Sequence, residues 1–61
     1  MIDFRFEDAK GKMVFLKLNE EGDESTEYVE VNTMDDYYNL ERIIYAYQEQ
    51  GILSEYFIYY N

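Results

Sequence analysis

The first half of the chain shows the period of two that is typical of strands. Ile2, Phe4 and Phe6 are separated by charged residues, which predicts a half-buried first strand. Residues 8–11 contain a glycine and are typical of a short hairpin turn. Residues 13–18 are almost continuously apolar, which predicts a second strand inside the sheet, covered on more than one side.

A polar segment separates this apolar run from a third strand. Residues 19–25 are polar and include a glycine, so they are expected to form a loop. In residues 26–31 alternation resumes, with Val29 and Val31 on one face and Tyr28 on the other.

After residue 31 the apolar period changes to that of a helix. Asn32 or Thr33 is the expected N-cap, and the helix is predicted to run to about Gln50. Gly51 stands where a left-handed C-terminal cap is expected. One apolar stripe recurs at spacings of three and four and consists of Tyr37, Leu40, Ile43, Ile44 and Tyr47.

Residues 56–60 are β-branched or aromatic and predict a fourth strand. The expected fold is therefore α+β, a single βββαβ domain over residues 1–61. It has a single-layer four-stranded sheet with one helix packed on one face. The first three strands are expected to form an antiparallel meander. The helical crossover would bring the last strand parallel to the first or third strand, with a place beside the first favoured.

Composition limits the class of protein. Sixty-one residues make one domain with one thin core. An apolar content of 48%, including 20% aromatic residues, favours folding over an acidic disordered tail, despite a net charge of −9. The chain has no Cys, no apolar run long enough to cross a membrane and no leader-like N-terminus, so the cytoplasm is the expected compartment.

Candidate chemistry is sparse. The absence of His and Cys removes the commonest general base, thiol nucleophile and zinc ligands. Ser25 and Ser54 have no base signature near them, and the acidic loop places Lys17 where an EF-hand needs its first ligand. We therefore expect no catalytic residue, no metal site and no cofactor. An enzyme that uses carboxylates is the weakest of three alternatives.

Charge is the most informative part of the composition. The chain has 14 acidic residues and 5 basic ones, and from residue 18 onward eleven acids face only Arg42, a local balance of −10. Such a field should repel nucleic acid and anionic membranes and attract a cationic protein surface. Strand carboxylates two residues apart are separated by about 6.5 to 7 Å, comparable with neighbouring phosphates. The expected partner-binding residues are Glu20, Glu21, Asp23, Glu24, Glu27, Glu30, Tyr28, Tyr38 and Tyr45.

Two functions are favoured over an enzyme. The first is a small acidic inhibitor that binds a basic, nucleic-acid-binding protein and imitates phosphate charge. In size and charge alone, the chain is similar to small acidic inhibitors that bacteriophages make against host defence enzymes. The second is a structural or regulatory homodimer whose acidity serves solubility, with self-association through Tyr56, Tyr59 and Tyr60. One aromatic set of the last strand should face away from the helix, where it either covers Met13 and Phe15 as a second minor core or is buried in a dimer.

Overall fold

The computed structural model describes residues 2–60. The fold is α+β, but its sheet has three strands, so the predicted four-stranded sheet and the order βββαβ are wrong. All neighbouring strands are antiparallel, in the order β2-β1-β3. The elements are α1 (Phe6–Ala9), β1 (Lys12–Glu20), β2 (Asp23–Val31), α2 (Met34–Gln50) and β3 (Leu53–Tyr59).

The predicted first strand is a bent segment that leads into one helical turn. Arg5 is the N-cap of this turn, and the side chain of Asp8 stabilises its start by accepting a hydrogen bond of 2.9 Å from the backbone N–H of Arg5. The predicted hairpin turn at residues 8–11 is therefore also wrong. Ile2 nevertheless lies in the core, with 5% of its surface exposed.

Aromatic packing explains the alternation of this N-terminal segment. The rings of Phe4 and Phe6 lie edge-on to Tyr37, with centroids 6.4 and 6.0 Å away, and Phe4 lies 6.0 Å from Tyr56. The Tyr37 hydroxyl donates a hydrogen bond of 2.7 Å to the carbonyl oxygen of Phe4. Every second side chain is therefore turned inward without any strand pairing.

Strand β1 is the centre of the sheet, as its apolar run predicted. Its Val14 pairs with Val29 on one side and with Ile58 on the other. The last strand therefore lies antiparallel beside β1, and the predicted place beside residues 2–7 is wrong. Strands β2 and β3 run in the same direction with β1 between them, and α2 is the crossover that joins them.

The predicted loop at residues 19–25 is also wrong, because β1 and β2 continue to a turn of two residues. Glu21 and Gly22 both have positive φ, 53° and 91°, as a type I′ hairpin turn requires. The side chain of Asn19 accepts a hydrogen bond of 2.9 Å from the N–H of Gly22. Pairing reaches Glu20 and Asp23, because ladder hydrogen bonds do not depend on burial of the side chains.

Helix α2 confirms the predicted signals at both ends. Thr33 is the N-cap and accepts from the N–H of Asp36 at 3.2 Å, while the Asp36 carboxylate accepts from the N–H groups of Asn32 and Thr33. These backbone hydrogen bonds, first from Asn32 and then from Thr33, hold the pKa of Asp36 below its ordinary range. Gly51 ends the helix in the left-handed conformation.

One apolar core lies between α2 and the sheet. The predicted helix stripe faces it: Leu40 and Ile44 are buried, and the other three members pack against its margin. The described residues contain no buried polar or charged side chain. The core consists of Ile2, Ala9, Val14, Leu16, Leu18, Val31, Leu40, Ile44 and Ile58.

Replacing Tyr37 with Phe should lower the free energy of unfolding by about 1 kcal/mol, because it removes the hydrogen bond to the Phe4 carbonyl and keeps the ring packing. Urea denaturation followed by circular dichroism measures the change. Tyr38→Phe is the matched control, since this neighbouring side chain is 55% exposed, and its change should stay within about 0.5 kcal/mol. Equal losses in the two variants would contradict the anchoring role of Tyr37.

Candidate protein-binding surfaces

The end of the β1–β2 hairpin forms the first candidate surface. We call it the acidic hairpin; it comprises the exposed residues Glu20, Glu21, Asp23 and Glu24. A groove of about 870 Å³ lies between these residues and the end of α2 at Gln50, Gly51 and Ile52. The type I′ turn brings the carboxylates of both strands to one end of the molecule.

Two sources of negative potential meet at this groove. Besides the carboxylates, the C-terminal end of α2 carries the negative end of the helix dipole, and its last turn contains no basic residue. Within residues 2–60 the one ion pair joins Lys17 to Glu55, with 4.0 Å between Nζ and Oε1. No cation of the described chain therefore neutralises the acidic hairpin.

The side of the sheet turned away from α2 forms the second candidate surface, which we call the open face. Phe15 lies at its centre and touches rings from both neighbouring strands. Its ring centroid is 4.7 Å from Tyr28, 5.4 Å from Phe57 and 5.1 Å from Tyr59, and the Tyr59 ring stacks on it at an interplanar angle of 5°. This arrangement matches the first of the two alternatives predicted for the outer aromatic set, a second minor core, and the exposed part of the rings leaves burial in a dimer open as the second.

The open face covers itself only in part. Tyr28, Tyr59 and Tyr60 are 61%, 47% and 65% exposed, and Met13 is 39% exposed. At about 200 Å² for each tyrosine side chain, the three tyrosines alone expose about 350 Å². The largest apolar patch on a typical monomer is about 300 to 600 Å² and is often functional, so this patch is a candidate interaction surface.

Charged groups of both signs surround the open face. At one end, the ammonium group of Lys17 lies 5.9 Å from the ring centroid of Phe57. At the other end, the ammonium group of Lys12 lies 5.7 Å from the ring centroid of Tyr60. Beside Tyr60, a groove of about 730 Å³ is lined by Met13, Phe15, Glu30 and Tyr59, among others.

The structure divides the predicted partner-binding residues among several surfaces. Four carboxylates form the acidic hairpin, and Tyr28 and Glu30 belong to the open face. Tyr38 and Tyr45 are exposed on the outer side of α2. Glu27 points to the helix side of β2, where both of its carboxylate oxygens accept from the Tyr47 hydroxyl, at 2.8 and 2.9 Å.

The three tyrosines predicted for self-association are also divided. Tyr59 and Tyr60 lie on and beside the open face, whereas Tyr56 points to the helix side and packs on Phe4. Phe57 and Lys17 also lie on the open face, and neither was among the predicted partner-binding or self-association residues. Their signal was alternation: Lys17 alternates with the buried residues of β1, and Phe57 pairs with Phe15, which does the same.

Hydrogen bonding and burial favour the neutral form of three tyrosines. The hydrogen bond with Glu27, followed by burial, raises the pKa of Tyr47. Burial is the main cause that raises the pKa values of Tyr37 and Tyr56. These groups join the N-terminal segment, the sheet and α2, so their neutral forms support the packing of the three parts.

Comparison with known proteins gives no match that would assign a role to these surfaces. No protein-family model matches the chain, and no curated protein or solved structure shows significant similarity to it. Within residues 2–60, no group of three or more acidic side chains is arranged to hold a metal ion. No helix in this part of the chain is long and apolar enough to span a membrane.

Stability should fall at alkaline pH. Because the folded-state pKa of Tyr47 is raised, its contribution is complete below about 10, the ordinary pKa of tyrosine, and is lost as pH rises through the higher folded value. Tyr47→Phe should therefore lose less stability than the parent chain as pH rises above about 10. Urea denaturation on both sides of this pH measures both slopes. Glu27→Ala removes the hydrogen bond but leaves the burial of Tyr47, so its slope should lie between those of Tyr47→Phe and the parent chain; parent-like slopes in both variants would contradict this role.

Proposed function

We propose that the protein binds a cationic surface of another protein through the acidic hairpin. The observation that supports this most directly is the convergence of four exposed carboxylates and the negative end of α2 on one groove, with no cation of the described residues paired to them. Lys and Arg side chains that enter this groove gain charge-assisted hydrogen bonds.

The target we propose is a nucleic-acid-binding protein, and the effect is inhibition. The surfaces of such proteins place Lys and Arg to receive a row of phosphates, and a row of carboxylates satisfies the same donors. Glu20 and Asp23 are directly paired across the hairpin, and Glu24 follows next to them. Carboxylates grouped at one hairpin end offer several acceptors to the same Lys or Arg side chains, which supports phosphate imitation. Because the net charge of −9 disfavours direct contact with nucleic acid, we propose that the protein competes with it, in the cytoplasm.

Charge should govern the association rate of this contact. Glu20→Gln, Asp23→Asn and Glu24→Gln together remove three negative charges, from −9 to −6, and leave Glu21 in its left-handed turn position. Partners captured from a host lysate at low salt and identified by mass spectrometry should be displaced by added nucleic acid. For such a partner, surface plasmon resonance should show an association rate about tenfold lower with the triple variant.

The matched control removes the same number of charges elsewhere. Glu7→Gln, Asp35→Asn and Glu41→Gln also change the net charge from −9 to −6, but they lie outside the acidic hairpin. This variant should keep an association rate within about threefold of the parent. Equal slowing by the two triple variants, or no captured partner at low salt, would contradict the proposal.

A further inference from the structure

We propose that the chain forms a symmetric homodimer in which two open faces pack together and Lys17 of each subunit binds Glu30 of the partner subunit. This inference does not depend on the proposed function. It rests on the strand register, on the exposed rings of the open face and on the placement of its charges.

The register defines three rows of side chains across the open face. The central row is Tyr28, Phe15 and Phe57. On one side of it lies the row of Glu30, Met13 and Tyr59, and on the other side lies the row of Thr26, Lys17 and Glu55. Along the strands, the face therefore carries Lys17 towards one end of β1 and Glu30 towards the other.

A two-fold axis that lies between the sheets along the central row matches these charges. It exchanges the two outer rows, so Lys17 lies over Met13 of the partner subunit, next to the partner subunit's Glu30. Met13, Glu30 and Tyr59 line the groove of about 730 Å³ that the lysine side chain enters, and Lys12 lines the same groove beside Tyr60. A two-fold axis parallel to the strands instead places Lys17 against Lys17 of the partner subunit, which is unfavourable.

The same axis places the remaining side chains in compatible pairs. Each ring of the central row meets its own copy, so the exposed Tyr28 and the half-buried Phe15 and Phe57 lose contact with water. Glu55 lies opposite the Tyr59 hydroxyl of the partner subunit, and Glu30 lies opposite Thr26. No carboxylate of the three rows faces another carboxylate.

The charge pattern of the three rows fits a second copy as the occupant of this face. Each copy offers one cation, Lys17, and one carboxylate, Glu30, that the two-fold axis sets beside its opposite in the other copy. The exposed tyrosines, with Met13 and the rest of the face, bury about 500 Å² per subunit, or about 1,000 Å² in total. This area is at the lower end for specific interfaces, so the dimer should dissociate in the micromolar range.

The test exchanges the charges at positions 17 and 30 and measures the dimer dissociation constant of each variant. Sedimentation equilibrium over about 1 μM to 1 mM protein gives this constant. In Lys17→Glu, the new carboxylate lies against the like charge of Glu30 of the partner subunit. In Glu30→Lys, the new ammonium group lies against the like charge of Lys17 of the partner subunit. Because the two-fold axis repeats each contact, either variant should weaken the dimer about tenfold. The double variant restores opposite charges between the subunits and keeps the net charge of −9. Because both it and Lys17→Glu place a carboxylate beside Glu55 of the same subunit, the double variant should bind about tenfold more tightly than Lys17→Glu.

Arg42→Glu is the control for net charge, since it makes the same change as Lys17→Glu on the exposed outer side of α2. It should leave dissociation within about threefold of the parent. Unchanged circular dichroism verifies the fold of every variant. A parent chain that stays monomeric at about 1 mM leaves the open face to a different protein and contradicts the inference. A dimer that the double variant fails to restore contradicts the proposed axis.

Discussion

The whole structure depends on the burial of one side of β1 beneath a single helix. Val14 and Leu16 are completely buried, as is Leu40 of α2 opposite them. A chain of 61 residues has material for one such layer of helix, and residues 2–60 contain no second helix of comparable length for the other side of the sheet. The open face therefore has no helix to cover it. Its aromatic rings pack around Phe15 and bury part of one another, and the rest of their surface is exposed to water.

Local signals predicted the parts of the fold that local interactions determine. Three features of α2 could be predicted from the sequence: its apolar stripe, the Thr33 cap and the Gly51 cap. Their partners lie within four residues in sequence or on one helix face. The first strand was mispredicted because alternation reports which side chains are buried and not what the backbone pairs with. Phe4 and Phe6 are turned inward by Tyr37 and Tyr56, residues more than thirty positions away.

The candidate surfaces, like the fold, could be predicted only in part from the sequence. The block of carboxylates was visible in the sequence, but its description as a loop was wrong because a polar hairpin end can continue a ladder without burying anything. Glu27 shows the limit of reasoning from charge alone. It belongs to the acidic block in sequence, whereas in the fold it accepts a hydrogen bond from Tyr47 on the helix side. The open face could be recognised only from the strand register, which brings Phe57 and Tyr59 onto Phe15.

The charges on the outer edge of β2 have a consequence for the addition of further strands. An edge strand has unpaired backbone groups that can template the addition of further strands, and like charges are one of the devices that prevent it. Strand β2 has Asp23, Glu24, Glu27 and Glu30 along nine residues, whereas β3 has Glu55 alone. The like charges of β2 therefore disfavour the addition of a further strand at this edge of the sheet.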